Sequence, residues 1–199
     1  MVLEKRFSHK DKKITKMALM QNDFSYLARI FDEFFSCRHV NNRLSLIYQS
    51  EISGWEAWLQ IELAHFLITH SSEPEWYREI PLQFDRRSES EKSYFRPDFI
   101  IRKKYWPIAT YVAVEIKQHP IPASCIRNMF SDICKVSKMR MSQLNMRSLW
   151  ALGVFKTDKE LNLDELVDNY VGDSASFSKC ELIGRTGFAY LLYGKRAVG

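Results

Sequence analysis

The stretch RPDFIIRKKYWPIATYVAVEIKQ, residues 96–118, decides how this chain is read. Its two ends alternate as strands do, and a polar, aromatic turn joins them. In the first run Phe95, Pro97, Phe99 and Ile101 share one side, while Arg96, Asp98, Ile100 and Arg102 share the other. Asp98 thus falls on the more polar side. In the second run Tyr111, Ala113, Glu115 and Lys117 lie opposite Val112, Val114 and Ile116, because side chains repeat every two residues. A hairpin whose turn is centred between Trp106 and Pro107 sets Asp98 directly across from Glu115. Side chains opposed in this way have Cβ atoms about 4.5–5.5 Å apart, where like charges repel. A positive partner is called for, and a hard divalent cation such as magnesium, which takes carboxylate oxygens with water and phosphate, fits the requirement. Lys117, on the same face as Glu115, is suited to stabilise a developing negative charge or to orient an attacking water.

Working outward, GWEAWLQIELAHFLITH, residues 54–70, is the strongest helical run. Trp55, Trp58, Leu59, Leu63 and Phe66 form a stripe and Ala57, Ile61 and Ala64 make the far side apolar, so a helix packed between layers is expected. It carries two acids, Glu56 in the first turn and Glu62 near the middle. Residues 76–84 (WYREIPLQF) read as a strand, with Pro81 pointing to an edge or an end and Glu79 as a further acidic candidate. After Lys117, Pro120 and Pro122 close the strand and open a helix over 123–143. One side of it holds Ile126, Met129, Phe130, Ile133 and Cys134; another gathers Arg127, Ser131, Lys135 and Lys138, a basic, hydroxyl-bearing face fit for phosphate contact. The apolar run LWALGVF, residues 149–155, reads as a buried strand that a crossover places parallel to its predecessor. Closing strands are expected at 177–183 and 187–193, turning at 184–187, with a peripheral helix over 162–171. Towards the N-terminus, residues 23–36 form an aromatic helix with Asp23 as a possible N-cap, and Asn41-Asn42 interrupts it.

Two features of this reading resemble a known family. Pro97-Asp98 followed by Glu115-Ile116-Lys117 looks like the signature of the PD-(D/E)XK nuclease superfamily, with every signature position filled. The order helix, three strands, helix, strand over residues 54–156 is similar to that family's core. The resemblance implies an α/β, restriction-endonuclease-like fold: a three-layer core in which helices flank a central mixed β-sheet. It implies a magnesium-dependent phosphodiester hydrolase, with manganese as a substitute and double-stranded DNA as the expected substrate, cut internally. The ion would be held by Asp98, Glu115, the Ile116 carbonyl and Glu56, with Lys117 acting on the water. Among the acids, Glu56 fits the family's early helical glutamate better than Glu62, because more helix follows it; Glu79 remains a third candidate. In several branches the helix after the signature bears an Asp-x-x-Lys pattern, which Asp132 and Lys135 match. The rival expectation is a binding protein on the same fold that grips nucleic acid or a partner without cutting.

Composition agrees with one globular domain. The 199 residues are 46% hydrophobic and 27% charged, with a net charge of +5. Six basic residues stand against two acidic ones in the first sixteen positions, which leaves the remainder nearly neutral. A basic, flexible arm over 1–22 ahead of a single domain over 23–199 is expected, the arm attracting a polyanion. Cys37, Cys125, Cys134 and Cys180 show no paired spacing, which fits reduced thiols in a cytoplasmic protein better than zinc or disulfides. No HxH or HxxxH spacing favours a histidine metal site, no Gly-x-Ser-x-Gly elbow is present, and no run of apolar residues is long enough to span a membrane. A homodimer is compatible with paired cuts in a duplex.

Overall fold

The computed structural model describes residues 9–83, 94–137, 145–157, 162, 165–166, 168–169 and 177–196. Strands β1 (Glu75–Arg78), β4 (Phe99–Arg102), β5 (Thr110–Gln118), β6 (Asn145–Lys156), β8 (Phe188–Arg196) and β7 (Ser178–Leu182) make one six-stranded sheet, in that order. β5 and β6 are parallel, joined across helix α4 (Pro122–Ser137), and every other pair of neighbours is antiparallel. Strands β2 (Leu82–Gln83) and β3 (Tyr94–Phe95) pair separately as a short ribbon. The β4–β5 register is the one expected from the turn: Phe99 faces Val114, Ile100 faces Ala113 and Ile101 faces Val112. One step further along, Asp98 comes opposite Glu115.

Helices α1 (His9–Ser36), α2 (Arg38–Gln49) and α3 (Glu56–Thr69) cover one face of the sheet. Their Leu27, Phe31, Phe34, Leu44, Leu59 and Leu63 pack with Phe99, Val112, Val114, Ile116 and Trp150, the inward set of the alternating strands. Helix α4 covers the other face, where Cys125, Ile126, Met129 and Ile133 meet Ala151, Phe155, Ala189 and Leu191. Position 153 lets it sit close: a Cβ on Gly153 would lie 2.2 Å from Met129 Sδ and 3.0 Å from Cys125 Sγ. That close seat brings the α4 side chains within reach of the end of β5.

Several local expectations are corrected. Asp23 is not an N-cap, since α1 starts at His9 and runs through it. Its carboxylate is buried and accepts from Arg147 Nη2 (2.7 Å), Arg147 Nε (3.3 Å) and Ser148 Oγ (2.8 Å); Ser148 Oγ accepts in turn from Trp150 Nε1 (2.7 Å). Asn41 does not break the chain either. It lies inside α2 and its side-chain amide donates to the Phe35 and Cys37 carbonyls, closing the end of α1. The 76–84 run is interrupted at Glu79, which takes a φ of +50°, so β1 and β2 belong to different sheets. Ile100 is buried beside Tyr111, Ala113 and Leu149, so the Asp98 side of β4 carries an apolar residue between Asp98 and Arg102. Helix α3 is not enclosed on all sides, because Ile61 and Ile68 stay 59% and 69% exposed. The strand of 149–155 begins earlier, at Asn145. Half of the helix expected over 162–171 lies outside the described residues, as do 1–8 of the basic segment; 9–22 are the start of α1. Among the described residues no disulfide joins any of the four cysteines, and no helix is long and apolar enough to cross a membrane.

Asp23 offers a direct check on how α1 is tied to the sheet. Replacing it with Ala leaves Arg147, only 11% exposed, without its carboxylate. A loss of about 3–5 kcal/mol in urea denaturation is expected; a loss below about 1 kcal/mol, the scale of an exposed pair, contradicts this account of the packing.

Candidate active site

Pro97 ends the regular β4–β5 ladder. It has no N–H to give, and its carbonyl accepts from Glu79 N (3.1 Å). The N–H of Ile116, which the ladder would otherwise use, donates instead to Asp98 Oδ2 at 2.7 Å. Asp98 Oδ1 accepts from Gln60 Nε2 on α3 at 3.0 Å. Both oxygens are thereby held by fixed donors. The carboxyl of Glu115 completes the group by sharing a hydrogen bond with Asp98.

Burial and the neighbouring Asp98 charge push the Glu115 carboxyl up to about 8, so near neutrality it keeps a proton and donates it to Asp98. Burial also raises Asp98, although the Ile116 N–H and Lys117 work against it. Lys117 Nζ lies 3.7 Å from Glu115 Oε2 and 3.1 Å from Asp132 Oδ2 on α4. Burial acts to lower the Lys117 pKa, but Glu115 and Asp132 outweigh it and hold the ammonium charged. Glu56, in the first turn of α3, reaches across to accept from Gln118 N at 3.1 Å, and burial raises it too. Helix α3 on one side and α4 on the other therefore deliver side chains to one end of the β4–β5 hairpin.

Of the expected residues, Asp98, Glu115, Lys117 and Glu56 come together here. The Ile116 side chain is buried in the core, and its main chain lies between Asp98 and the ladder with β6. Glu62 points elsewhere: it accepts from Trp58 Nε1 (3.1 Å) and pairs with Arg43 and His39 (both 3.5 Å), holding α3 to α2. Glu79 stands exposed just past β1, beside Arg78 (3.1 Å). On α4, Arg127 and Ser131 are exposed one turn apart; Lys135 continues the helix and Lys138 lies outside the described residues. Asp132 engages Lys117 as well as sharing the Asp-x-x-Lys spacing with Lys135. Sequence reasoning missed Gln60 altogether. The available signal was its spacing, four residues after Glu56 and so on the same helix face.

Among the described residues no three His, Cys, Asp or Glu side chains are drawn together as a ready-made metal cage. What is assembled is a pair of adjoining carboxyls, a half-buried Glu56 at the neighbouring strand end, and an ammonium. No family model, curated protein or solved structure matches the chain.

The shared proton has a consequence for stability. Glu115 is raised from the 4.5 of an unperturbed glutamate to about 8 in the fold, so between these values the folded state binds more protons than the unfolded one. Its stabilising effect is fully present below about 4.5 and is lost as the pH rises through about 8. In metal-free protein the melting temperature is expected to fall across this window, and Glu115→Gln to flatten the fall. A parent whose melting temperature climbs over the same range contradicts the assignment.

Proposed function

We propose that this chain is a metal-dependent nuclease that hydrolyses phosphodiester bonds, with internal cleavage of double-stranded DNA the favoured activity. One observation carries the reading: two carboxyls distant in sequence, Asp98 and Glu115, are held against each other, and Lys117 Nζ stands 3.7 Å from Glu115 Oε2. The order α3, β1, β4, β5, α4, β6, with helices on both faces of a mixed sheet, supports a restriction-endonuclease-like core of the PD-(D/E)XK kind. The ribbon β2–β3 is then an insertion between the first two core strands.

The donor set suits magnesium or manganese. Both carboxyls offer hard oxygen ligands, and their closeness in a partly buried place is a repulsion that positive charge would relieve. Asp98 and Glu115, with Glu56 and the Ile116 carbonyl, would hold the ion, which when bound would polarise a phosphate oxygen and acidify a water. The protein's own groups do the rest. Ile116 N–H and Gln60 fix the direction of Asp98. Lys117, kept charged between Glu115 and Asp132, orients the attacking water and stabilises charge building on the phosphate. Arg127 and Ser131 on the outer side of α4 would meet the backbone phosphates. A binding protein that does not cut is the second reading, and the intact set of Asp98, Glu115 and Lys117 weighs against it.

Nicking of supercoiled plasmid tests the proposal. Cleavage should require magnesium or manganese, and Asp98→Asn or Lys117→Met should lower its rate by about a hundredfold or more in variants whose circular dichroism spectrum matches the parent's. Variants that cut as fast as the parent would remove these residues from the chemistry.

A further inference from the structure

Gln60 is 94% removed from solvent yet carries two hydrogen bonds of opposite sense. Its Oε1 accepts from Arg78 Nη2 at 2.7 Å, and its Nε2 donates to Asp98 Oδ1 at 3.0 Å. A primary amide can turn over in its site, and the two orientations exchange donor and acceptor. Here the orientation has only one solution. A guanidinium has donors and no acceptor, so the end of Gln60 that faces Arg78 must be the oxygen. The NH2 group is then turned toward Asp98, where it suits a carboxylate and not a carboxylic acid proton.

Arg78 is itself tightly placed. It closes β1, its guanidinium lies 5.8 Å from the centre of the Phe99 ring, and the same Nη2 donates to Glu79 Oε1 at 3.1 Å. Its Nε is buried without a hydrogen-bond partner among the described residues, a cost to stability accepted at the residue that sets the amide. The next residue, Glu79, takes the strained φ of +50°, which ends β1 and leaves Arg78 as its last residue, beside Gln60.

We propose that Gln60 is a positioning residue for Asp98, and that Arg78 acts through it by fixing which way round the amide stands. The proposal rests on the nuclease reading for its purpose, since Asp98 is an ion ligand only under that reading. With Oδ2 taken by the Ile116 N–H and Oδ1 by Gln60, the lone pairs that remain on Asp98 point in a fixed direction beside Glu115. An Asp98 free to rotate would have to be ordered each time the ion arrived, which weakens uptake. Outer groups of this kind contribute about tenfold to a hundredfold in metal affinity. Neither Gln60 nor Arg78 need touch substrate for this.

Two measurements on the full chain test the relay. Calorimetric titration with manganese should show Gln60→Met and Arg78→Met each binding about tenfold or more weakly, and the double variant binding no more weakly than Gln60→Met alone, because both act through one bond. In metal-free protein, the side-chain amide signals of Gln60 in a proton–nitrogen correlation spectrum should move in Arg78→Met and in Asp98→Asn. Arg78→Met removes a partly exposed side chain and keeps the test open if Gln60→Met does not fold. Unchanged manganese affinity in the variants, or amide signals that stay put, overturns the relay. If the parent takes up no manganese, the nuclease reading fails instead; the amide signals still decide the relay, moved ones upholding it and unmoved ones ending it.

Discussion

Two carboxyl groups that would separate in water are held together by the hydrogen-bond ladder of one hairpin. The pairing of β4 with β5 leaves Asp98 and Glu115 no choice of neighbour, and burial removes the water that would otherwise screen them. Two like charges so close cannot both persist, so one group must be neutralised by a proton or the pair by a cation. The rest of the molecule maintains that condition. The sheet core of Phe99, Val112, Val114 and Ile116 fixes the hairpin against α1 to α3, and Gly153 admits α4 closely enough for Asp132 to reach Lys117.

Much of this was legible in residue order. Alternation along 110–118 places the buried valines and Ile116 on one side and Glu115 with Lys117 on the other, and a turn at Trp106-Pro107 fixes the register without knowledge of any distant contact. The crossover from β5 through α4 to β6 follows from a strand, a helix and an apolar strand in succession. Glu56 and Glu62 part in the fold: the first turn of α3 lies at the end of β5, while Glu62 turns to α2.

What the sequence hid was set by tertiary partners. Asp23 looks like a cap because a short acid before an apolar run often is one; only the arrival of Arg147 and Ser148, over a hundred positions away, makes it a buried mid-helix anchor. Asn41 looks like a break because asparagine competes with helical hydrogen bonds, yet here it satisfies the carbonyls at the end of the preceding helix. Gln60 sits in a run so apolar that an uncharged polar side chain drew no notice. Its meaning depends on Arg78, and that contact crosses from a helix to an edge strand.

A manganese-soaked crystal measured at the metal's absorption edge tests most directly the proposal that a cation binds between Asp98 and Glu115. The account predicts one anomalous peak about 2.1 Å from an oxygen of Asp98 and from an oxygen of Glu115, with the proton between them gone. A crystal in which the two carboxyls remain hydrogen-bonded to each other, with no peak beside them at saturating manganese, would contradict it.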